Sequence, residues 1–368
     1  VASDRYELRR NRLLRRLKKE SVDALLVTSE INVRYLTGFS GDSSYLLLGQ
    51  SLTVLISDSR YTTQISDECP GLDTAIRGMK NTIVDVTAKV ARQAKLKKLG
   101  FESHITTVAD FKTLQEKIKQ LELVPVASLV EELRTIKDAH EIGEIREAVR
   151  QAERGLEVIR ASLVGSATEL QVAHDLEHAM RHFGAERAGF DPIVAAGPRA
   201  ALPHARPGKS RIDSANLLLI DWGSETTSCY RSDLTRVWLT GKISPKVEKI
   251  YRVVLNAQRR AISKIRPGAR CSEVDAVARK SIGKAGFGKY FGHGLGHGIG
   301  LQIHEQPRFS PISEDVLKPG MVVTVEPGIY IPGWGGVRIE DDILVTRNGH
   351  EVLTSVPKEF DDAVVAVQ

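Results

Sequence analysis

Along the chain, the spacing of apolar positions changes character near residue 130. Before that point, helical stripes alternate with short apolar runs. Leu13, Leu14 and Leu17 recur at helical spacing and predict a first helix over 5–20. Residues 24–28 form a compact strand-like run. Residues 45–48 and 52–56 read as two strands turning around Gly49-Gln50, a hairpin signal. Helical periodicity returns over 84–98 and 108–119, with a short strand at 99–101 between them. This alternation predicts a small α/β domain over 1–130.

A linker is expected at 131–140, and a second domain over 141–368. A charge-laced helical pattern covers 131–164, with Ile136, Ile142, Ile145, Val149, Leu156 and Ile159 as its apolar face. Thr168 and Gln171 have capping-box spacing ahead of a helix through Leu170, Val172, Leu176 and Met180. Strands are predicted at 190–196, 216–222 and 233–240, and helices at 245–264 and 272–285. The last hundred residues are rich in glycine and strand formers. The second domain therefore reads as α+β, with helices covering a mainly antiparallel sheet.

Composition narrows the class. The 368 residues are 42% hydrophobic and 27% charged, within the globular range. No apolar stretch approaches the roughly 18 residues of a spanning helix. Cys69, Cys229 and Cys271 lie far apart with no CxxC, which excludes a disulfide framework and a cysteine-rich zinc site. A reducing, cytoplasmic setting is the expectation. Asp4, Arg5, Glu7, Arg9 and Arg10 give the first residues charge in place of a signal-peptide core. The net charge of +6 concentrates in Arg9, Arg10, Arg12, Arg15, Arg16, Lys18 and Lys19. This run reads as a solvated helix face, and with aromatics at 5% no stacking platform follows it. Neither a nucleic-acid nor a membrane partner is expected.

Several motifs fail on spacing. Gly208-Lys209-Ser210 lacks the glycine of a phosphate loop, because position 203 is proline. The run 292–300 has no GxGxxG. His304-Glu305 is not HExxH, because position 308 is arginine. What survives is a set of metal-capable residues at or beside predicted strands: Asp221, Asp233, His297, Glu326 and Glu340. Runs this apolar do not carry acids inward uncompensated, since burying a lone charge is very costly. Two divalent cations would balance four carboxylates. Oxygen donors with one imidazole form a hard site, suited to Mn²⁺ foremost and compatible with Co²⁺, Zn²⁺ or Fe²⁺. Glycines around His297 allow close backbone approach.

These residues carry a resemblance. The strings GPRAALPHARPG (197–208), IDWG (220–223), SDLTR (232–236), FGHGLGHGIGLQIHE (291–305) and VEPGIYIPGWGGVRIEDD (325–342) resemble the Xaa-Pro peptidases, the aminopeptidase P and prolidase group of the pita-bread metallopeptidases. NVRYLTGFSG (32–41), DSRYTTQ (58–64) and ELRTIKDAHEI (132–142) resemble the group's creatinase-like N-terminal domain and connector. The resemblance implies a pita-bread catalytic domain behind that smaller α/β domain. It implies that Asp221 binds one metal, that Asp233 and Glu340 bridge two, and that His297 and Glu326 complete the second. Glu326 would also take a proton from a dimetal-bridging hydroxide. His304 would hold the scissile carbonyl, His293 and His204 would line the substrate pocket, and Arg338 would orient substrate or acids. Tyr330 and Asp342 would support them from behind. Proline-containing peptides are the implied substrates, and a homodimer the implied assembly.

The resemblance leaves the exact reaction open. The aminopeptidase reading, cleavage of the first bond of Xaa-Pro-Yaa, is preferred to the Xaa-Pro dipeptidase reading. A metal-free creatinase-like hydrolase and a catalytically inactive binding module are the further alternatives, and both would be expected to lack ligands that this chain keeps. One departure stands out. Asp221 and Asp233 are 12 positions apart, one more than the family pattern, and Cys229 replaces its usual glycine. The extra residue is expected in the turn 223–228. A slipped strand would instead turn Asp233 away.

Overall fold

The computed structural model describes residues 2–367, with side chains from Arg5 onward. The chain forms two compact units, one reaching Arg134 and one starting at Thr135.

The first unit is a six-stranded sheet in the order β4-β3-β2-β1-β5-β6. Its strands are β1 (Ala24–Val27), β2 (Tyr45–Gly49), β3 (Leu52–Asp58), β4 (Asp73–Arg77), β5 (Lys98–Glu102) and β6 (Glu122–Val126). Its helices are α1 (Ala2–Leu17), α2 (Glu30–Thr37), α3 (Thr62–Glu68), α4 (Ile83–Gln93), α5 (Val108–Lys117) and α6 (Leu129–Arg134). The expected hairpin is there: β2 and β3 pair antiparallel, with Gly49 opposite Leu52. The α2 and α3 helices and strands β4 and β6 were not legible in the pattern. The outer strands are only partly buried, so their alternation is weak. Helix α4 stops at Gln93, short of the predicted end. Lys95 adopts a left-handed φ of 52°, and the Asp23 carboxylate accepts from the Lys97 and Lys98 amides at 2.7 and 2.9 Å.

The basic face of α1 is not wholly solvated. Arg9 is buried and donates to the Tyr35 carbonyl (3.1 Å). Arg10 donates to the Leu36 carbonyl (2.8 Å). Both satisfy carbonyls that the end of α2 leaves open, while Arg12, Lys18 and Lys19 are exposed.

The second unit begins with α7 (Ala139–Ser162) and α8 (Glu169–His182). The single helical pattern over 131–164 is in fact α6, a break and α7. Asp138 restarts the helix through a capping box with Glu141, and Thr168 with Gln171 does the same for α8. The strands that follow are β7 (Arg187–Ala188), β8 (Ile193–Ala196), β9 (Leu218–Trp222), β10 (Ser224–Glu225) and β11 (Leu234–Trp238). After α9 (Pro245–Ile262) and α10 (Cys271–Lys284) come β12 (Gly296–Gly298), β13 (Glu305–Phe309), β14 (Val322–Val325), β15 (Gly328–Ile331), β16 (Gly335–Arg338), β17 (Asp341–Val345) and β18 (His350–Val352). Every strand pairing in this unit is antiparallel, so the α+β expectation stands.

Both faces of β9 are covered. Leu218, Ile220 and Trp222 join the core beneath α7 and α8, and Leu217 and Leu219 join the core beneath α9 and α10. This is why the run reads as continuously apolar. Asp221 continues the second face. β9 pairs with β11, placing Asp221 opposite Thr235 and Trp222 opposite Leu234. Side chains alternate along a strand, so Asp221, Asp233 and Thr235 share one face.

The extra residue between the two aspartates lies in the connecting turn. Cys229 N–H donates to the Thr226 carbonyl (2.8 Å) and Thr226 N–H to the Tyr230 carbonyl (2.9 Å). Cys229 takes a φ of 67°. This is a four-residue turn, Thr226 to Cys229, whose last residue is the left-handed bulge position, the place where glycine is favoured.

Candidate active site

Loops and strand ends of the second unit enclose a cavity of about 620 Å³. Every residue singled out from the sequence for metal binding or catalysis lines it: His204, Asp221, Asp233, His293, His297, His304, Glu326, Arg338 and Glu340. Phe190, Pro192, Ile193, Ile303 and Phe309 supply an apolar wall.

The strand β12 carries His297 between β13 and β14. Its neighbours must be glycines. A Cβ on Gly296 would lie 2.2 Å from the Thr324 carbonyl oxygen, and one on Gly298 the same distance from that of Gln306. His297 Nδ1 lies 3.0 Å from the Gly298 carbonyl. A carbonyl only accepts, so Nδ1 carries the proton and Nε2 presents its lone pair. That lone pair faces Asp233 Oδ2 at 3.6 Å and Glu326 Oε1 at 3.4 Å. Burial, with His304 nearby, lowers the His297 pKa to about 3, so the ring is neutral. Ligand atoms of Asp233, His297 and Glu340 all lie within 4.8 Å of one another.

Thr235 joins the acids to Arg338. Its Oγ1 donates to Glu340 Oε2 (2.6 Å) and accepts from Arg338 Nε (3.0 Å). Arg338 also pairs with Asp221 and donates from Nη1 to the Tyr330 hydroxyl (2.8 Å). That hydroxyl donates onward to His293 Nε2 (2.9 Å), because His293 Nδ1 gives its own proton to the Gly294 carbonyl (2.7 Å). The result is a directed chain from Arg338 through Tyr330 to His293. Burial lowers the His293 pKa to about 4, assisted by Arg338, and raises that of Tyr330 to about 12.

The acids fall into two environments. Burial raises Asp221 even against Arg338. It raises Asp233 and Glu340 further, because each also faces neighbouring carboxylates. Burial lifts Glu326 to about 8. Asp342, which accepts from Asp233 N–H at 3.0 Å, is likewise raised by burial. Asp341 between them is the opposite. Burial pushes it up, but Arg236 and Lys358 hold it well below the ordinary carboxylate range. Side-chain alternation explains the contrast: Asp341 faces Arg236 and Lys358, while Glu340, just before β17, lines the cavity and Asp342 lies behind Asp233. Asp221 Oδ1, Glu340 Oε1 and Asp342 Oδ1 are buried without a hydrogen-bond partner. Four crowded acids, with Arg338 ion-paired to Asp221 alone and with orphaned oxygens, fit a site completed by divalent cations.

The family model described as metallopeptidase family M24 matches residues 143–347, and that of the creatinase/prolidase N-terminal domain matches residues 9–136. The chain belongs to metallopeptidase family M24. Its relatives include a protein named Xaa-Pro dipeptidase from Pyrococcus horikoshii, 36% identical over 94% of this chain and 96% of that one. Among solved structures, a Xaa-Pro dipeptidase from Bacillus anthracis aligns with a TM-score of 0.93 at 39% identity, covering 98% of this chain and 100% of that one. An X-Pro aminopeptidase from Thermotoga maritima aligns with a TM-score of 0.87 at 34% identity, covering 96% and 100%. The M24 match covers the antiparallel sheets of the second unit, and the creatinase/prolidase match covers the first unit. No described helix of this M24 chain is long and apolar enough to cross a membrane.

Two residues of the site escaped the sequence reading: Thr235, which stands behind Glu340 and Arg338 without lining the cavity, and Arg308. Thr235 was legible, two residues beyond Asp233 on a strand and therefore on its face. Arg308 lies four residues beyond His304 on β13, whose burial alternates strictly, so it reaches the cavity. Among the described residues, its guanidinium makes no ion pair.

Proposed function

We propose that this M24 metallopeptidase hydrolyses the bond between an N-terminal residue and a following proline. The observation that carries the reading is the single cavity in which buried, mutually repelling acids with orphaned oxygens surround a neutral His297. Asp221, Asp233, His297, Glu326 and Glu340 would hold two divalent cations, Mn²⁺ foremost because the donors are mainly oxygen. Such cations, when bound, supply Lewis acidity and lower the pKa of water.

The remaining steps belong to the chain's own side chains. Glu326, in the cavity beside His297 Nε2, takes the proton of the attacking water and passes it to the departing proline nitrogen. His304 stabilises charge on the carbonyl oxygen. The Arg338–Tyr330 chain holds His293 neutral and oriented, and His204 and His293 flank the proline end. The apolar wall excludes water around the scissile bond. A homodimer and a cytoplasmic location complete the reading. Three described cysteines that form no disulfide support the latter.

A second reading, the Xaa-Pro dipeptidase, is favoured by Arg308. A guanidinium without an ion pair, beside the apolar wall and His304, is suited to the free carboxylate that follows proline only in a dipeptide. The test compares Ala-Pro with Ala-Pro-Ala, each with Mn²⁺ and with a chelator. Chelator-sensitive cleavage of the tripeptide at Ala–Pro supports the aminopeptidase, and cleavage of the dipeptide alone supports the dipeptidase. If neither is cut, the Xaa-Pro reading fails. For a dipeptidase, Arg308→Gln raises KM for Ala-Pro by about 10- to 100-fold, the loss expected for a charge-assisted pair. An unchanged KM removes Arg308 from substrate recognition.

A further inference from the structure

His204, His293 and His304 line the cavity outside the expected ligand set, and they sit on three different loops. Each loop is gripped from behind by an acid–base pair, and none of the six residues in these pairs lines the cavity. We propose that the three pairs are positioning devices, each setting one histidine independently of the other two. The inference rests on the Xaa-Pro reading only for its activity arm.

The first grip holds the loop of His204. Glu169, in the first turn of α8, is fully buried. Its Oε1 accepts from Ala196 N–H (2.8 Å) and its Oε2 from Gly208 N–H (2.9 Å), so one carboxylate ties both ends of the segment carrying His204. Arg199 Nε pairs with the same carboxylate at 2.8 Å. Its Nη2 donates to the Arg206 carbonyl (2.5 Å), inside the loop.

The second grip holds the loop of His293. Asp275 and Arg279 are one helical turn apart on α10 and pair at 2.8 Å. Arg279 donates from Nη1 to the Phe291 carbonyl (3.0 Å) and from Nη2 to the carbonyl of His293 itself (2.8 Å). Asp275 Oδ1 accepts from Leu295 N–H at 3.2 Å. The guanidinium also lies over the Phe291 ring, 4.4 Å from its centre, and that ring packs edge-on against His293.

The third grip holds the loop of His304. Lys137 lies between α6 and α7 and pairs with Glu305 at 3.0 Å, with side-chain exposures of only 1% and 6%. Glu305 is the residue after His304, and its Oε1 accepts from Gln302 N–H at 3.1 Å, closing the loop onto itself. Lys137 is anchored in turn by its own N–H on the Gly320 carbonyl (2.8 Å).

In all three, a buried acid accepts loop N–H groups, and charge-assisted bonds of this kind are the strong ones. The cations differ. Two arginines use their forks to reach carbonyls as well as the acid. The lysine reaches only the acid, which makes the third grip the one most dependent on its charge.

The test uses the full-length protein, loaded with diamagnetic Zn²⁺ for NMR, because Mn²⁺ beside these rings would broaden their signals away, and with Mn²⁺ for activity. Arg199→Lys and Arg279→Lys keep the charge beside the acid but lose the fork. Lys137→Met removes the charge of the third pair. Each variant is assayed on an Ala-Pro substrate and examined by ring-carbon NMR of ¹³C-histidine-labelled protein, with signals assigned from His→Gln variants. The expected result is selective: Arg199→Lys moves only the His204 signal, Arg279→Lys only that of His293 and Lys137→Met only that of His304. Each lowers kcat/KM on the order of 10- to 100-fold, the scale of a small misplacement of reacting groups. A pair that serves only the fold lowers the melting temperature and moves all three signals together or none, and either pattern overturns the proposal. So does a variant whose own histidine signal moves while kcat/KM stays within twofold. If the wild type cuts no Xaa-Pro substrate, the function proposed above fails, and the NMR pattern alone still decides for or against independent grips. A variant that does not fold is replaced by removal of its acid's charge, Glu169→Gln, Asp275→Asn or Glu305→Gln, judged by the same selectivity.

Discussion

Thr235 has one hydroxyl and uses it in both directions, giving its proton to Glu340 and receiving one from Arg338. Thr235→Val keeps the shape and deletes both bonds. Glu340 then has a second oxygen without a donor, and Arg338 Nε has no acceptor; leaving such buried groups unpaired costs about 1–3 kcal/mol. Groups that orient a metal ligand from behind typically carry about 10- to 100-fold in metal affinity. Titrating Mn²⁺ into metal-stripped Thr235→Val is therefore expected to show weaker binding by that order, with Thr235→Ser close to wild type. Equal affinities for all three proteins would reduce Thr235 to packing.

The hairpin joining β9 and β11 decides whether two aspartates meet. Its turn takes up the additional residue, so Asp221 stays opposite Thr235 and Asp233 stays on their common face. The cost is concentrated at Cys229, a non-glycine residue at a φ of 67°. Left-handed backbone disfavours a Cβ by about 1–2 kcal/mol, while glycine loses about 0.5–1 kcal/mol through its looser unfolded state. Cys229→Gly is thus expected to leave the melting temperature unchanged or slightly raised, and Cys229→Val to lower it, because a β-branched residue fits this region worst. A Val variant as stable as wild type would contradict this account of the turn. The same hairpin shows what could be read in advance. Acids at or beside apolar strands mark Asp221, Asp233, Glu326 and Glu340 in the sequence, whereas His204, His293, His304 and Arg338 were marked only by the family resemblance; all of them line one cavity. Arg308 went unread because it stands alone on an otherwise ordinary strand, and its reach depends on where β13 sits. The grips on the histidine loops were equally hidden, since Lys137 and Glu305 are 168 positions apart and meet only through the fold.

At the scale of the molecule, the buried acids couple pH to stability when cations are stripped. Glu326 is raised to about 8, and Asp221, Asp233 and Glu340 are raised in the same direction. An acid raised on folding holds a proton that the unfolded chain has released. The folded state then binds more protons, and stability falls as pH rises from the ordinary carboxylate range through about 8. Chelated protein is expected to melt at progressively lower temperature from pH 5 to pH 8, and Mn²⁺-loaded protein to lack that slope, because cations replace the protons. Parallel slopes would place the acids outside the metal's influence. Asp341, by contrast, keeps Arg236 and Lys358 whether or not a metal is present, so the strand carrying Glu340 remains anchored when the site is stripped. A chain built this way has its negative half written into the fold and imports its positive half from the surroundings. Unfilled molecules open more often and are exposed to proteolysis more often. The amount of enzyme a cell retains would then follow its supply of divalent cations, with no dedicated sensor involved.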